Sequence, residues 1–278
     1  MTNVNRRNFV GLLAASLALP ALASAQGPRA DDKPPGSGDG FGPMHAGRKP
    51  EVGMLLYPGL TLMDLLGPQT VLSTSCNVHL VWKNTDLIAS DSGVVLRPTE
   101  TLGECPKDLD VLFVGGGGGQ IAVMRDPEVL KFLDDRGSRA KYVTSVCSGS
   151  LVLGAAGLLQ GYKATSHWAC RDALALFGAT PVDARVVTDR NRVTGGGVTA
   201  GIDFGLVLLA ALLGEEVAKV TQLAMEYDPA PPFDAGSPKK ACPELVRKVE
   251  QWMAPTAGKM GATCVAAAKA MGDYAPKP

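Results

Sequence analysis

The chain has 278 residues, 46% hydrophobic and 19% charged, with a formal net charge of zero, which allows a sizeable core in one large domain or two small ones. Balanced charge without a like-charge run excludes a nucleic-acid footprint. The 33 glycines and only 5% aromatic residues suit an α/β protein with tight turns better than an all-β sandwich.

At the N-terminus, Arg6-Arg7 precedes Asn8-Phe9-Val10 and an uncharged apolar run to Ala25. Paired arginines before a mild apolar segment, closed by the small residues Ala23-Ser24-Ala25, read as a twin-arginine signal over 1–25. The apolar run is short for a membrane span, so no stable anchor is expected. The partner implied is the twin-arginine export machinery, and the destination is periplasmic or secreted. Residues 26–50 hold six Gly and five Pro and read as a flexible tether, with His45 solvated in it. An oxidising destination makes disulfides reasonable. Cys242 and Cys264, which bracket the last helices, and Cys76 and Cys105 are candidates, and connectivity among these and Cys170 is not readable from sequence. No CxxC pair exists, and Cys76 with His79 has no second ligand pair at zinc spacing, so no metal site is expected.

The folded domain is expected over 51–255, with a loose Ala-rich tail over 256–278. Val52 to Tyr57 is a continuous apolar run, as in a strand covered on both faces. Pro58-Gly59 turns the chain into a helix running to about Ser73. Asp64, a lone carboxylate in that apolar segment, is either the helix cap or a site acid. His79–Lys83 reads as a strand, with His79 structural, and Val94–Leu96 as a small additional one. Leu109–Val114 is a further buried strand that runs into Gly115–Gly119. Glycines there let the backbone approach something closely. A flexible loop and a phosphate loop are alternatives, but no Lys-Ser or Lys-Thr follows, as a Walker sequence needs. Backbone N–H groups facing a reacting carbon is the favoured reading. A helix follows from Pro127 to about Arg136, with proline in its first turn.

Tyr142–Val146, the turn Cys147-Ser148-Gly149 and a small-residue helix from Ser150 to Ala156 form a strand, a sharp turn and a helix. A thiol at a helix N-terminus sits where unpaired N–H groups and the helix dipole favour an anion, and the thiolate is the nucleophilic form. Gly149 gives the room that a nucleophile elbow needs. The alternative is a buried structural cysteine. His167, in the extended piece before a helix ending near Gly178, is the histidine near enough in sequence to serve Cys147. Strands at Arg185–Val187 and Arg192–Thr194, helices at Ala200–Leu213 and Glu215–Tyr227, a proline-rich surface segment and a helix from Pro243 to about Met253 complete the domain. Buried strands alternating with helices mean a parallel sheet with helices on both faces.

Taken together, these stretches resemble the ThiJ/PfpI superfamily, relatives of the class I glutamine amidotransferase domain, and within it the isonitrile hydratase branch. The resemblance covers about Val52 to Trp252. It rests on Tyr57-Pro58-Gly59 through Asp64 to Pro68, Gly115–Gly119, Ser145-Val146-Cys147-Ser148-Gly149, Ala164–Trp168, Thr194–Phe204, and Glu226-Tyr227-Asp228-Pro229 with Pro231–Pro238. It implies a flavodoxin-like three-layer α/β/α sandwich, a small-molecule substrate, no cofactor and a homodimer. It also implies Cys147 as nucleophile and Asp64 as the acid. Ser148 stands beside the nucleophile where these hydratases usually carry Thr. Val198 and His167 line the pocket, and amides at Gly116, Gly117 and Ser148 face the reacting anion. The implied reaction takes an isonitrile and water to an N-substituted formamide through a Cys147 thioimidate. Alternatives are a glyoxalase- or deglycase-like activity, which normally has Glu at the place of Asp64, and a redox-sensing or binding role. Ser148 in place of His counts against the peptidase branch.

Overall fold

Apolar runs become strands where both faces are covered, and glycine turns pass the chain to helices on alternate sides. The computed structural model describes residues 47–273. The export leader over 1–25, the tether up to residue 46 with His45, and residues 274–278 therefore lie outside the described residues. In chain order the elements are β1 (Glu51–Leu55), α1 (Leu62–Leu72), β2 (Asn77–Trp82), β3 (Ile88–Ala89), β4 (Val95–Leu96), β5 (Glu100–Thr101), β6 (Val111–Val114), α2 (Gln120–Val123) and α3 (Pro127–Gly137). Then follow β7 (Tyr142–Val146), α4 (Gly149–Ala155), β8 (Lys163–Ala164), a 3-10 helix (Arg171–Phe177), β9 (Thr180–Pro181), β10 (Val186–Asp189), β11 (Arg192–Gly195), α5 (Ala200–Leu213), α6 (Glu215–Ala224) and α7 (Pro243–Asp273).

A seven-stranded sheet runs β10-β11-β7-β6-β1-β2-β5. All of its pairings are parallel except the edge hairpin β10–β11. The parallel strands from β2 to β11 follow the flavodoxin-like order, whose strand direction of travel reverses between β1 and β6. Helix α1 packs on α5, and α5 on α6, on one face; α4 packs with α2, α7 and the 3-10 helix on the other. β1, β6 and β7 carry the fully buried Val52, Met54, Leu112, Phe113, Val143 and Val146. The segment expected as a strand at Val94–Leu96 forms only a small hairpin with β3.

Two local features differ from the sequence reading. The helix before Gly178 is 3-10, ended by Gly178 at φ +73°. The segment expected as a loose tail is helical: α7 continues through Pro255 to Asp273. A proline removes one helical hydrogen bond and crowds the preceding turn, so locally a stop near Met253 is reasonable. Tertiary contacts override it. Met260, Cys264, Ala267 and Met271 pack on the core. Thr263 Oγ1 accepts from Arg125 Nη2 at 2.8 Å, and Gln120 Nε2 donates to Met260 Sδ at 3.1 Å.

All six cysteines are unbridged. The Cys242–Cys264 pair has a geometric obstacle. Cys242 immediately precedes α7 and Cys264 lies 22 residues further along its axis, about 33 Å at 1.5 Å per residue. A disulfide tolerates at most about 7 Å between Cα atoms. Cys76 and Cys105 are both buried, and burial pushes their thiols up to about 12 and about 11.

Candidate active site

Three chain crossings meet at the C-terminal ends of β1, β6 and β7, beside the point where strand order reverses. The first brings Asp64 in on α1. Thr61 is the N-cap of α1 and makes no side-chain cap bond, while Asp91 Oδ1 accepts from Leu62 N at 3.1 Å. Asp64 is therefore not the cap. Its side chain is fully buried; Oδ2 accepts from Gly116 N at 2.9 Å, and Oδ1 has no hydrogen-bond partner. Burial pushes the Asp64 carboxyl from the ordinary 3.8 up to about 7, against the pull of Cys147 and of the Gly116 N–H. The charge of Asp91 pushes in the same direction as burial.

The second crossing is the glycine run after β6. A Cβ on Gly116 would lie 2.6 Å from Ser148 Oγ and 2.9 Å from Asp64 Oδ2, so only glycine lets the elbow and the acid meet there. The run serves close packing, as expected, but the amides of Gly116 and Gly117 are committed inside the protein. Gly116 N–H is held by Asp64, and Gly117 N donates to Ser148 Oγ at 3.4 Å. The N–H left facing the sulfur is that of Ser148.

The third crossing is the elbow itself. Cys147 has φ +57°, a left-handed conformation uncommon for a residue with a Cβ. It persists because its backbone is held on both sides. Cys147 N donates to Gly195 O at 3.1 Å and to Gly196 O at 2.9 Å, while its carbonyl accepts from Ser150 Oγ at 3.2 Å and Ser166 Oγ at 3.0 Å. A Cβ on Gly149 would lie 2.2 Å from Val114 O, which is why the helix can start flush against β6. Cys147 itself is buried, at 7% exposure.

Helix α4 does not leave Cys147 as a free-standing thiolate. Burial and the charge of Asp64 push its ionisation up, and the Ser148 N–H pulls the other way. Two acidic groups this close do not both ionise near neutral pH, and Asp64, at about 7, is the one that gives up its proton first.

Among the described residues no hydrogen bond joins His167 to Cys147. Its Nδ1 accepts from Ala169 N at 3.3 Å, its ring packs beside Trp168, and burial lowers its pKa. It packs against Gly197 instead, on the loop that also carries half-buried Val198. The residues missed from sequence are those that hold the elbow: Ser150, Ser166 and the carbonyls of Gly195 and Gly196. A cysteine held at positive φ needs such partners, and the end of β11, paired with β7, supplies the carbonyls. Beyond Ser166 Oγ lies Cys170 Sγ at 3.5 Å, on a cleft of about 160 Å³ lined by Leu151, Trp168, Met260 and Cys264. Among the described residues no group of three or more His, Cys, Asp or Glu could hold a metal ion.

The family model described as DJ-1/PfpI matches residues 50–211. The chain belongs to the DJ-1/PfpI family. It is 50% identical over 208 residues to an isonitrile hydratase of Pseudomonas putida, covering 74% of this chain and 91% of that protein. A solved structure of a ThiJ/PfpI family protein from Pseudomonas syringae is 52% identical, with a TM-score of 0.77 over 78% of this chain and 91% of that one. A deglycase of Pyrococcus horikoshii is 34% identical over 89 residues, 32% of this chain and 54% of that protein. The DJ-1/PfpI relationship agrees with the flavodoxin-like sandwich and with the resemblance read from the motifs.

Proposed function

We propose that this DJ-1/PfpI protein hydrates isonitriles to N-substituted formamides, with Cys147 as nucleophile and Asp64 as proton carrier. The observation that carries the reading is the buried Cys147–Asp64 pair, with Asp64 Oδ1 unpartnered and, among the described residues, no histidine hydrogen-bonded to the thiol. The 50% identity to an isonitrile hydratase supports it.

An isonitrile carbon accepts a soft nucleophile, and thiolate is the softest that a protein offers. Proton transfer from Cys147 to Asp64 gives a thiolate and a neutral carboxyl. Sulfur attacks the isonitrile carbon, and the Asp64 proton passes to that same carbon, leaving a thioimidate. The Asp64 carboxylate then takes a proton from water as the water oxygen adds to the carbon, and passes it to nitrogen. Collapse breaks the C–S bond. The hydroxyl proton returns to sulfur through Asp64, and the formamide leaves. The sum is isonitrile plus water, with enzyme regenerated and no cofactor required. A carboxyl near 7 suits these steps because it gives and takes protons at neutral pH. Ser148 keeps the hydroxyl that receives Gly117 N–H, and its own N–H steadies the thiolate.

The test incubates residues 26–278 with cyclohexyl isonitrile and follows formamide. Turnover by the wild type and none by Cys147→Ala is the expected result; full activity in Cys147→Ala would overturn the nucleophile assignment. The deglycase match motivates a parallel assay on a glycated thiol, and activity there alone would favour that reading. We further propose twin-arginine export to the periplasm or medium, checked by mutating Arg6-Arg7 and locating the protein. We also propose a homodimer, in keeping with the exposed Leu223, Phe233 and Trp252 and checked by sedimentation.

A further inference from the structure

The motif Glu226-Tyr227-Asp228-Pro229 has no part in the chemistry above, yet its tyrosine is built into a fixed posture. Glu226 has φ +49°. Tyr227 N donates to Gln222 O at 3.1 Å, and Gln222 Nε2 donates to Tyr227 O at 3.2 Å. This presents the phenol to α5, where Tyr227 Oη donates to Asp203 Oδ1 at 3.0 Å. The other oxygen, Asp203 Oδ2, receives Arg185 Nε. Arg185 in turn grips the loop between β11 and α5 at both ends. Its Nη2 donates to Thr199 O at 3.1 Å, and its carbonyl accepts from Gly196 N at 2.8 Å. This is the loop whose Gly195 and Gly196 carbonyls hold Cys147 N–H, and Val198 stands at its crest.

We propose that Tyr227, Asp203 and Arg185 are positioning residues that hold the loop 196–199, and that this loop limits how bulky a group can approach the Cys147 sulfur. The inference rests on Cys147 being the reactive thiol, not on the identity of the substrate. The inner grip is main chain and survives side-chain changes. The outer grip, at Thr199, depends on the guanidinium being aimed by Asp203, and Asp203 is oriented by the phenol. Loosening the outer end frees Val198 while leaving the elbow held, so access by bulky groups changes more than intrinsic reactivity does.

The experiment uses the full chain, wild type, Tyr227→Phe and Asp203→Asn. Cys147 is alkylated with N-methylmaleimide and with N-cyclohexylmaleimide, and the modified Cys147 peptide is quantified by mass spectrometry. The expected result is a rise of about fivefold in the cyclohexyl-to-methyl rate ratio, the scale of one ordinary net hydrogen bond. The N-methylmaleimide rate should stay within about twofold, since its access does not depend on the loop crest. An unchanged ratio, or both rates rising together, would overturn the proposal, the second being what general loosening produces. Tyr227→Phe removes one oxygen from a half-buried side chain, so it decides the matter even if Asp203→Asn unfolds. Cyclohexyl and methyl isonitriles are then run in parallel. If the wild type turns over neither, the hydratase reading fails while the maleimide ratio still judges the loop.

Discussion

Replacing Asp64 by Asn should make the protein more stable and much less active. In the fold the carboxyl titrates at about 7 instead of 3.8. A carboxyl with a raised folded pKa costs nothing below its unfolded value, where both states are protonated. Between 3.8 and about 7 the unfolded chain gives up its proton while the folded protein keeps it, so stability falls as pH rises and then levels off. At about 1.4 kcal/mol per pH unit the cost above the upper value is about 4 kcal/mol. Asparagine keeps the acceptor for Gly116 N–H and removes the charge, but leaves its own NH2 without an evident partner, which returns part of the gain. A net gain of about 2 kcal/mol is expected at pH 8, or about 4–8 °C in Tm for a domain of this size. The gain should vanish at about pH 5 and turn into a loss by about pH 4, where only the unpaired NH2 still counts. Activity should fall by about 10²–10⁴, the usual contribution of a positioned acid–base group. Wild-type rate should itself rise with pH through about 7 as the Cys147–Asp64 pair loses its first proton. The assay is thermal unfolding of both proteins across pH, beside formamide production. A Tm difference that does not depend on pH would refute the raised carboxyl.

Other perturbations follow from single features. Cys147→Gly should abolish turnover yet raise stability by about 1 kcal/mol, because glycine adopts a φ of +57° without strain; chemical denaturation against Cys147→Ala measures it. His79 lies between Glu51 Oε2 at 2.6 Å and Glu100 Oε1 at 2.5 Å. Burial alone would lower its pKa, but the two carboxylates outweigh that and raise it above 6.5. Its contribution is complete below 6.5 and is lost as pH rises through the folded value, so Tm should decline on the alkaline side. His79→Gln should flatten that decline, as pH-scanned melting would show. Truncation after Met253 removes the packing of Met260, Cys264 and Met271, about 3 kcal/mol or more, and should lower Tm by about 6–12 °C; an unchanged Tm would mean that the end of α7 adds nothing.

Local pattern carried the sheet because a strand buried on both faces has to be apolar throughout: Val52–Leu55, Val111–Val114 and Tyr142–Val146 could hardly be anything else. The elbow was legible for a related reason. A cysteine followed by a small residue and glycine, between a β-rich run and a helix, has few other uses. The nature of Asp64 was not legible, since cap and acid are the same residue type at the same place. Only the approach of Gly116 and the absence of a partner on Oδ1 separated them. The serine hydroxyls and glycine carbonyls that hold Cys147 come from segments up to 49 positions away, and no spacing rule connects them. His167 follows Ser166, which does reach the Cys147 carbonyl, but the ring itself packs on Gly197, a placement that spacing along the chain does not give.

The end of α7 makes the same division most plainly. By itself the sequence determined the parallel sheet, the reactive turn and the family, because those depend on residues within one strand, one turn or one motif. Tertiary structure decided that a helix runs through Pro255, that Cys242 and Cys264 lie along one axis, and that the Asp64 carboxyl is buried beside the thiol with its pKa raised. Those outcomes depend on what lies opposite a residue across the fold, where burial and neighbouring charge outweigh local preference.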